Sequence, residues 1–316
     1  MISKIIKNSP LSPYFLFFKP HSFFGKKVCL GKCNPGKVFY LISREDENAV
    51  GWGSILITTL ERLHVASLKH WIPVVDMKYK PNLYLNDEEI GIDDAWLKYF
   101  EPLHKGYTID DAKESKYVII DQRTETFCPH SRPDFHEKRM WKKLFEKYIR
   151  PNQTTSDYME SKWEELFRKE DKIIGVLSRG TDYVALRPKG HPIQPTVDEI
   201  IEKTRDTMNQ YFCNKVFLAT EDEQIFRRFT EAFGEDVVKS VTKDWISYDG
   251  NGYLHEYVKN EKDNNQRYVN GLDYITTLFF LSKCKCLVGG RTSAIPIVLS
   301  MNHSYEYKYL FDLGVY

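Results

Sequence analysis

The chain has 316 residues, which is enough for two domains with sizeable hydrophobic cores. Its 45 basic and 44 acidic residues almost balance, which excludes a global field that would recruit nucleic acid or an anionic membrane. The 20 Tyr, 19 Phe and 6 Trp favour well-packed cores or stacking surfaces for flat ligands. The six cysteines lack zinc-like spacing, so a reducing cytoplasm is the simplest expectation.

The N-terminal segment Pro13–Phe18 is apolar and aromatic, but it is too short to span a bilayer and carries no small-residue cleavage site. Lysines lie on both sides of it, so the segment could also rest on a membrane surface as an amphipathic foot. We expect a cytoplasmic protein, with peripheral association at the inner face of the membrane as the alternative. The neighbouring lysines are Lys4, Lys7, Lys19, Lys26 and Lys27.

The first half of the chain predicts a βαβ unit. Val38–Ile42 and Pro73–Asp76 are strand-like, and the glycine-containing segment Gly51–Ser54 between them predicts a tight turn. Ser54 is expected to cap a helix that runs to about Lys69. Loops of this kind bind ligands in α/β proteins, although a simple turn and solvated loop charges are the alternative. The candidate residues here are Glu45, Asp46, Gly51, Trp52 and Gly53.

The middle of the chain predicts a hinge. Asp94–Pro102 is an aromatic amphipathic segment that Pro102 terminates, and residues 134–170 are charged and helical in pattern. Arg150–Thr155 interrupts that helical pattern with Pro, Asn and Thr. We therefore expect one domain over residues 1–150 and a second over residues 151–316.

From residue 171 onward, apolar runs alternate with helical patterns, which predicts a parallel, doubly wound sheet. Two helix starts carry a capping-box pattern, at Thr196 with Glu199 and at Thr220 with Glu223. The polar stretch 243–268 lacks periodicity and predicts a loop. The predicted strands span 173–178, 216–219, 237–241 and 286–289, and the predicted helices begin near residues 196, 220, 271 and 293.

Three loops of the second half leave the carboxyl ends of predicted strands, so they should converge on one crevice. Arg179 offers a planar fork that suits phosphate, and the Gly289–Ser293 loop offers amides, hydroxyls and a helix N-terminus. Glu221 and Asp222 offer carboxylates for a guanine N1–H and N2–H₂ edge. A nucleotide-diphosphate site is predicted, against the alternatives of a local Arg–Asp pair and plain helix caps. The candidates are Ser178, Arg179, Gly180, Asp182, His191, Thr220, Glu221, Asp222, Gly290, Arg291, Thr292 and Ser293.

The segments Val176–Asp182, His191-Pro192, Phe217–Asp222 and Leu281–Ser293 resemble the fucosyltransferase superfamily of α1,6-, nodulation-type and protein-O-fucosyltransferases. The resemblance covers about residues 171–301 and is fainter near residues 51–54 and 96–101. It implies an α/β fold of the GT-B type, with two Rossmann-like doubly wound domains facing across a cleft. It also implies an acceptor-side N-terminal domain, a C-terminal domain that holds a GDP-sugar, no required metal, and inversion at the anomeric carbon.

The resemblance also suggests roles for individual residues. Arg179 matches the arginine that binds the β-phosphate, and Thr292 and Ser293 match hydroxyls close to the phosphates. Asp222 or Glu221 matches the position that contacts guanine. His191 could contact phosphate or sugar, and it could equally stabilise a turn.

Two positions depart from the α1,6 pattern. Leu177 replaces a histidine that contacts the nucleobase, and Arg187 replaces an acidic residue proposed as the general base. The candidates for the general base are therefore Asp182, Glu45 and Asp46.

The sequence thus predicts an inverting, metal-independent glycosyltransferase. It would move a sugar, fucose by the resemblance, from a GDP-sugar to a glycan hydroxyl in surface-polysaccharide synthesis. The sequence has no strict Asp-x-Asp metal signature, and no cofactor is expected beyond the GDP-sugar substrate. The alternatives are a transferase for another nucleotide sugar, such as GDP-heptose or GDP-mannose, and a non-catalytic nucleotide-sugar-binding protein, which Arg187 keeps open.

Overall fold

The computed structural model describes residues 24–43, 51–121, 135–179, 181–242, 264–302 and 304–316. These residues form two compact units that divide between Asn152 and Gln153, two residues beyond the boundary expected from the sequence. No helix in the described ranges is long and apolar enough to cross a bilayer. Pro13–Phe18, Glu45 and Asp46 lie outside the described residues, so the membrane foot and those two acceptor-side residues stay predictions.

The first unit is built on a four-stranded sheet with strand order β1-β4-β2-β3. The strands are β1 (Gly25–Val28), β2 (Phe39–Ile42), β3 (Ile72–Val75) and β4 (Val118–Asp121). β2 runs parallel to β3 and to β4, and β1 pairs antiparallel at the edge. β2 and β3 match the predicted strands, whereas the sequence pattern did not reveal β1 or β4.

The helices of the first unit are α1 (Trp52–Lys69), α2 (Ala95–Tyr99), α3 (Ile109–Lys113) and α4 (Phe135–Tyr148). Ser54 was expected to cap α1, but the helix begins two residues earlier and Gly51 is its N-cap. The predicted tight turn is therefore the first turn of the helix, in which the Ser54 and Ile55 amides both donate to the Gly51 carbonyl.

The second unit is built on a five-stranded sheet in which every neighbouring pair is parallel. The strands are β5 (Ile173–Leu177), β6 (Lys215–Ala219), β7 (Val238–Lys239), β8 (Cys286–Gly289) and β9 (Tyr307–Leu310), in the order β7-β6-β5-β8-β9. Every residue of β5 and β8 is buried, as expected for strands with helices on both faces. The parallel sheet is as predicted, with β9 added and β7 shortened.

The helices of the second unit flank this sheet. Thr196 and Glu199 form the predicted capping box, with the Glu199 carboxylate accepting from the Thr196 amide at 2.8 Å. Residues 264–268, predicted as loop, belong to a helix instead, while 243–263 lie outside the described residues. The helices are α5 (Gln153–Leu166), α6 (Thr181–Leu186), α7 (Val197–Tyr211), α8 (Glu223–Phe233), α9 (Asn264–Lys283) and α10 (Ala294–Met301).

His64 makes the stability of the first unit depend on pH. It lies on α1, and burial lowers its pKa from 6.5 to about 4. The unfolded chain therefore takes up this proton first, so stability that is full above pH 6.5 is lost as the pH falls towards 4. We expect the wild type to lose up to about 3 kcal/mol of unfolding free energy relative to His64→Gln across this window.

Urea unfolding of both proteins at pH 7, 6, 5 and 4 measures that difference. A difference between the two proteins that stays constant with pH would show that His64 does not titrate in this way.

Candidate functional site

Three loops of the second unit lie together at the carboxyl edge of its sheet. β5 lies between β6 and β8, and because all three strands are parallel, their following loops leave the same edge. The Ser178 amide donates to the Ala219 carbonyl at 3.0 Å, and the Gly290 amide donates to the Leu177 carbonyl at 3.3 Å. The loop after β5 is thus joined to the end of β6, and the loop after β8 is joined to the end of β5.

Arg179 follows the central strand and is held by its own neighbours. Its Nη2 donates to the carboxylate of Asp182 at 3.3 Å, and its guanidinium lies over the Tyr183 ring at 4.6 Å. Its Nε is buried and has no hydrogen-bond partner among the described residues. The side chain of Arg179 remains 28% exposed while that of Asp182 is 1% exposed. The local Arg–Asp pair is therefore present, and part of the Arg179 side chain remains exposed beside it.

The same pair bears on the choice of general base. Asp182 is fully buried and accepts from both Arg179 and the Tyr183 amide. A carboxylate in this position orients a guanidinium and has no surface on which to meet an acceptor hydroxyl. Its described contacts do not support the prediction that Asp182 is the base.

Charges around Arg179 form one electrostatic cluster. Burial acts to lower the pKa of the Arg179 guanidinium, but negative charge at Glu221, with smaller contributions from Tyr183 and Asp182, outweighs it and raises that pKa. Burial, followed by the Glu221 charge, raises the pKa of the Tyr274 hydroxyl on α9. Burial, followed by the Arg179 charge, lowers the pKa of His191. The site thus holds a permanent cation beside an imidazole that is neutral at physiological pH.

The loop after β6 carries two neighbouring carboxylates, Glu221 and Asp222, which make different interactions. Asp222 is the N-cap of α8, and its Oδ1 accepts from the Gln224 amide at 2.7 Å and from the Ile225 amide at 3.3 Å. The Thr220 hydroxyl accepts from the Asp222 amide at 3.3 Å. The expected Thr220–Glu223 capping box is therefore wrong, because Asp222 takes the capping position. Glu221, whose charge acts on Arg179, is the carboxylate of this loop that the cap does not use.

The loop after β8 leads into the amino end of α10. The Thr292 hydroxyl accepts from the Ala294 amide at 3.3 Å, and Ser293 occupies the N-cap position without a capping hydrogen bond from its side chain. The Arg291 guanidinium forms an ion pair with Asp312 at 2.6 Å, beyond the end of β9. The side chain of Arg291 is thus used to hold the loop, and the groups available to an anion are the helix N-terminus and the Ser293 hydroxyl.

Other predicted residues of this unit occupy varied positions. Ser178 is buried at the end of β5, and His191 packs its ring 5.1 Å from the Tyr183 ring. Arg187 is exposed at the end of α6 in a left-handed backbone conformation, φ 45°. Gly180 lies outside the described residues.

Of the acceptor-side candidates, the structure describes Gly51, Trp52 and Gly53, and two of these three are buried. Trp52 is fully buried and stacks on Tyr84 at 4.8 Å, and its amide donates to the Tyr84 hydroxyl at 2.7 Å. Its indole also contacts Trp96, Tyr99 and Phe100 edge-on, so the high aromatic content builds a core here. Trp52 was predicted as a binding residue and is a core residue. Gly53 is buried in the first turn of α1, and Gly51 has an ordinary extended backbone, φ −82°.

A depression that the sequence analysis missed lies elsewhere in the first unit. It follows the ends of β2 and β3 and encloses about 380 Å³, open solvent included. Asp76 lies in it with 4% exposure, and burial raises the pKa of its carboxyl although the Tyr79 amide donates to it. The buried hydroxyls of Thr58 and Thr59 have no hydrogen-bond partner among the described residues. Asp76 is the last residue of the predicted strand Pro73–Asp76, and an acidic residue at a strand end was a signal that the sequence did contain.

The fold was compared with those of solved structures. A crystal structure of the NodZ α1,6-fucosyltransferase co-crystallised with GDP matches 87% of this chain and 95% of its own, at 15% identity and TM-score 0.52. NodZ soaked with GDP-fucose matches 84% and 93% at 14% identity and TM-score 0.51. NodZ from Bradyrhizobium matches 83% and 92% at 16% identity and TM-score 0.50.

The chain has the fold of NodZ. The predicted α/β class is confirmed, and the likeness to these fucosyltransferases is one of fold. A cleft between facing domains stays a prediction. No protein-family model matches the chain, and no curated protein matches its sequence.

The capping role of Asp222 can be tested by measuring the free energy of unfolding of two variants. Asp222→Ala should lower the free energy of unfolding by about 1 kcal/mol, because two amides at the start of α8 lose their acceptor. Asp222→Asn should stay within about 0.5 kcal/mol of the wild type, because asparagine caps helices as well as aspartate does. Urea denaturation measures both, and equal losses in the two variants would refute the capping role.

Proposed function

We propose that this protein is a glycosyltransferase that moves fucose from GDP-fucose to a hydroxyl of a glycan, with inversion and without a metal ion. The observation that supports it best is Arg179, a charged guanidinium that Asp182 holds after the central strand, where the Leu177 carbonyl accepts from the Gly290 amide of the loop that leads into α10. The fold is that of NodZ, whose structures were obtained with GDP and with GDP-fucose.

The leaving group sets the chemical requirement of this reaction. As GDP departs, negative charge grows on the β-phosphate while the sugar becomes oxocarbenium-like. A fixed guanidinium and the amino end of α10 are suited to that charge, and such donors typically contribute about 2–4 kcal/mol each. Asp182 and the Tyr183 ring hold Arg179 before the donor binds, so the guanidinium needs little movement as negative charge grows on the β-phosphate.

Glu221 supplies the recognition of the base in this proposal. A carboxylate accepts two hydrogen bonds from the N1–H and N2–H₂ edge of guanine, a pair of donors that adenine and uracil lack. Asp222 is occupied as a helix cap, so Glu221 is the carboxylate left for this role. Leu177, which replaces the histidine of the α1,6 pattern, is buried in β5 and gives the base an apolar contact only.

The depression beside Asp76 is the part of the first unit that suits an acceptor. Its buried carboxylate can accept hydrogen bonds, and the hydroxyls of Thr58 and Thr59 can both accept and donate them, as sugar hydroxyls require. We propose that a glycan hydroxyl binds there. Among the described residues no three His, Cys, Asp or Glu side chains converge to hold a metal ion, and turnover in EDTA tests the metal independence.

A non-catalytic nucleotide-sugar-binding protein is the second candidate. The observation that favours it is the absence, among the described residues of the Arg179 loop, of a carboxylate free to act as base: Asp182 is buried and Arg187 is basic. A transferase for GDP-mannose or GDP-heptose remains a variant of the first candidate.

The decisive experiment is a nucleotide panel followed by turnover. We expect binding of GDP at least tenfold tighter than that of ADP or UDP, and GDP release from GDP-fucose that needs a glycan acceptor and survives EDTA. Arg179→Ala should weaken GDP binding by at least tenfold and lower kcat by roughly 10²–10³-fold, because it removes charge stabilisation of the leaving group. Arg227→Ala, which removes an exposed arginine paired with Glu223 on α8, is the matched control and should change neither.

Tight GDP binding with no turnover on any glycan would favour the second candidate. Turnover that is unaffected by Arg179→Ala would overturn the first.

A separate prediction concerns Asp76. Asp76→Asn keeps the oxygen that accepts from the Tyr79 amide but replaces the other with a donor. We expect the KM for the glycan acceptor to rise by at least tenfold, with GDP affinity and thermal stability close to those of the wild type. Steady-state kinetics with the acceptor that the wild type uses measures this, and an unchanged acceptor KM would remove Asp76 from the acceptor site.

A further inference from the structure

Gln194 lies between two loops of the candidate donor site and is 6% exposed. Its Nε2 donates to the carbonyl of Pro192 at 3.2 Å in its own loop and to the carbonyl of Arg291 at 2.9 Å in the loop after β8. A single side-chain amide thus joins the segment that carries His191 to the segment that leads into α10.

The other side of the Gln194 amide lies against Gly290. A Cβ added at Gly290 would be 2.1 Å from Oε1 of Gln194 and 3.1 Å from Cδ of Pro195. Oε1 is buried and has no hydrogen-bond partner among the described residues. Gly290 is therefore required by space, because the amide occupies the volume that any side chain would need. A buried acceptor without a hydrogen bond lowers the stability of the fold, so stability alone does not explain why Gln194 occupies this position.

The C-terminal tail, residues 312–316, holds the same two loops from outside. Asp312 forms the ion pair with Arg291, and the Ile193 amide donates to the Gly314 carbonyl at 3.0 Å. The Tyr316 amide donates to the His191 carbonyl at 3.0 Å. The two loops are thus joined at Gln194 and also through the tail.

We propose that Gln194 is a positioning residue for the diphosphate. It fixes the Gly290–Ser293 loop against the His191 loop, so that the amino end of α10 already has its binding orientation in the unliganded protein. The inference rests on the proposed function for the identity of the ligand. Both polar atoms of the Gln194 amide face protein, so it acts on the nucleotide through the loop. Preorganised donors of this kind bind an anion more tightly because no ordering follows binding.

A double-mutant cycle tests this coupling. The variants are Gln194→Ala, Gly290→Ala and the double variant, with Gln153→Ala at an exposed glutamine of α5 as the matched control. The first readout is amide hydrogen exchange of residues 290–295 in the unliganded protein, and the second is the dissociation constant for GDP.

We expect each single variant to speed exchange of residues 290–295 by at least tenfold and to weaken GDP binding by at least tenfold, with β6 exchange unchanged. In the double variant the space left by Gln194→Ala accommodates the new methyl group. Its effects should therefore not exceed those of either single variant, which is a non-additive result. The control should match the wild type in both readouts.

Additive effects, unchanged exchange at residues 290–295, or faster exchange spread equally over β6 would each overturn the positioning role. Failure of the proposed function is a different result, because the wild type would then not bind GDP. The exchange measurement still decides the role of Gln194 in that case.

Discussion

A charged guanidinium at the end of a buried strand is the constraint on which the second unit depends. β5 is covered along its whole length, so Arg179 emerges from an apolar core in which an unpaired charge would be costly. Asp182, Tyr183 and Glu221 compensate for it, and the pKa of the guanidinium rises as a result. The cation is thus stable without a ligand, and part of its side chain remains exposed.

Neighbouring carboxylates take different roles because their surroundings differ. Asp182 is buried against Arg179 and orients it, and Asp222 caps a helix. Glu221 does neither of these: its charge raises the pKa of Arg179, and its carboxylate does not cap the helix. Position in the chain alone does not separate these three residues. Their exposure and hydrogen bonds do.

Loop positions in this unit are set by close backbone packing as much as by side-chain bonds. The Ser178 amide joins the loop after β5 to the end of β6, and the Gly290 amide joins the loop after β8 to the end of β5. Gln194 and the C-terminal tail link the His191 loop to the loop after β8. Such a frame keeps the amino end of α10 in place without a bound anion. An anion site made from backbone amides needs this rigidity, because the amides point at the ligand only while the loop keeps its position.

The sequence by itself determined the alternation of strands and helices after residue 171, the capping box at Thr196 and the position of Arg179 at a strand end, because periodicity, caps and strand ends are local properties of the chain. It did not determine that Trp52 lies in a core or that Asp222 replaces Thr220 as the cap. Nor did it determine that Tyr274 lies within reach of the Glu221 charge, that Gln194 joins two loops, or that Asp76 lies buried in a depression. Those outcomes depend on contacts between residues far apart in the chain, such as Trp52 with Tyr84 or Gln194 with Arg291. Only the tertiary structure brings such residues together, because their burial and partners arise from packing between elements.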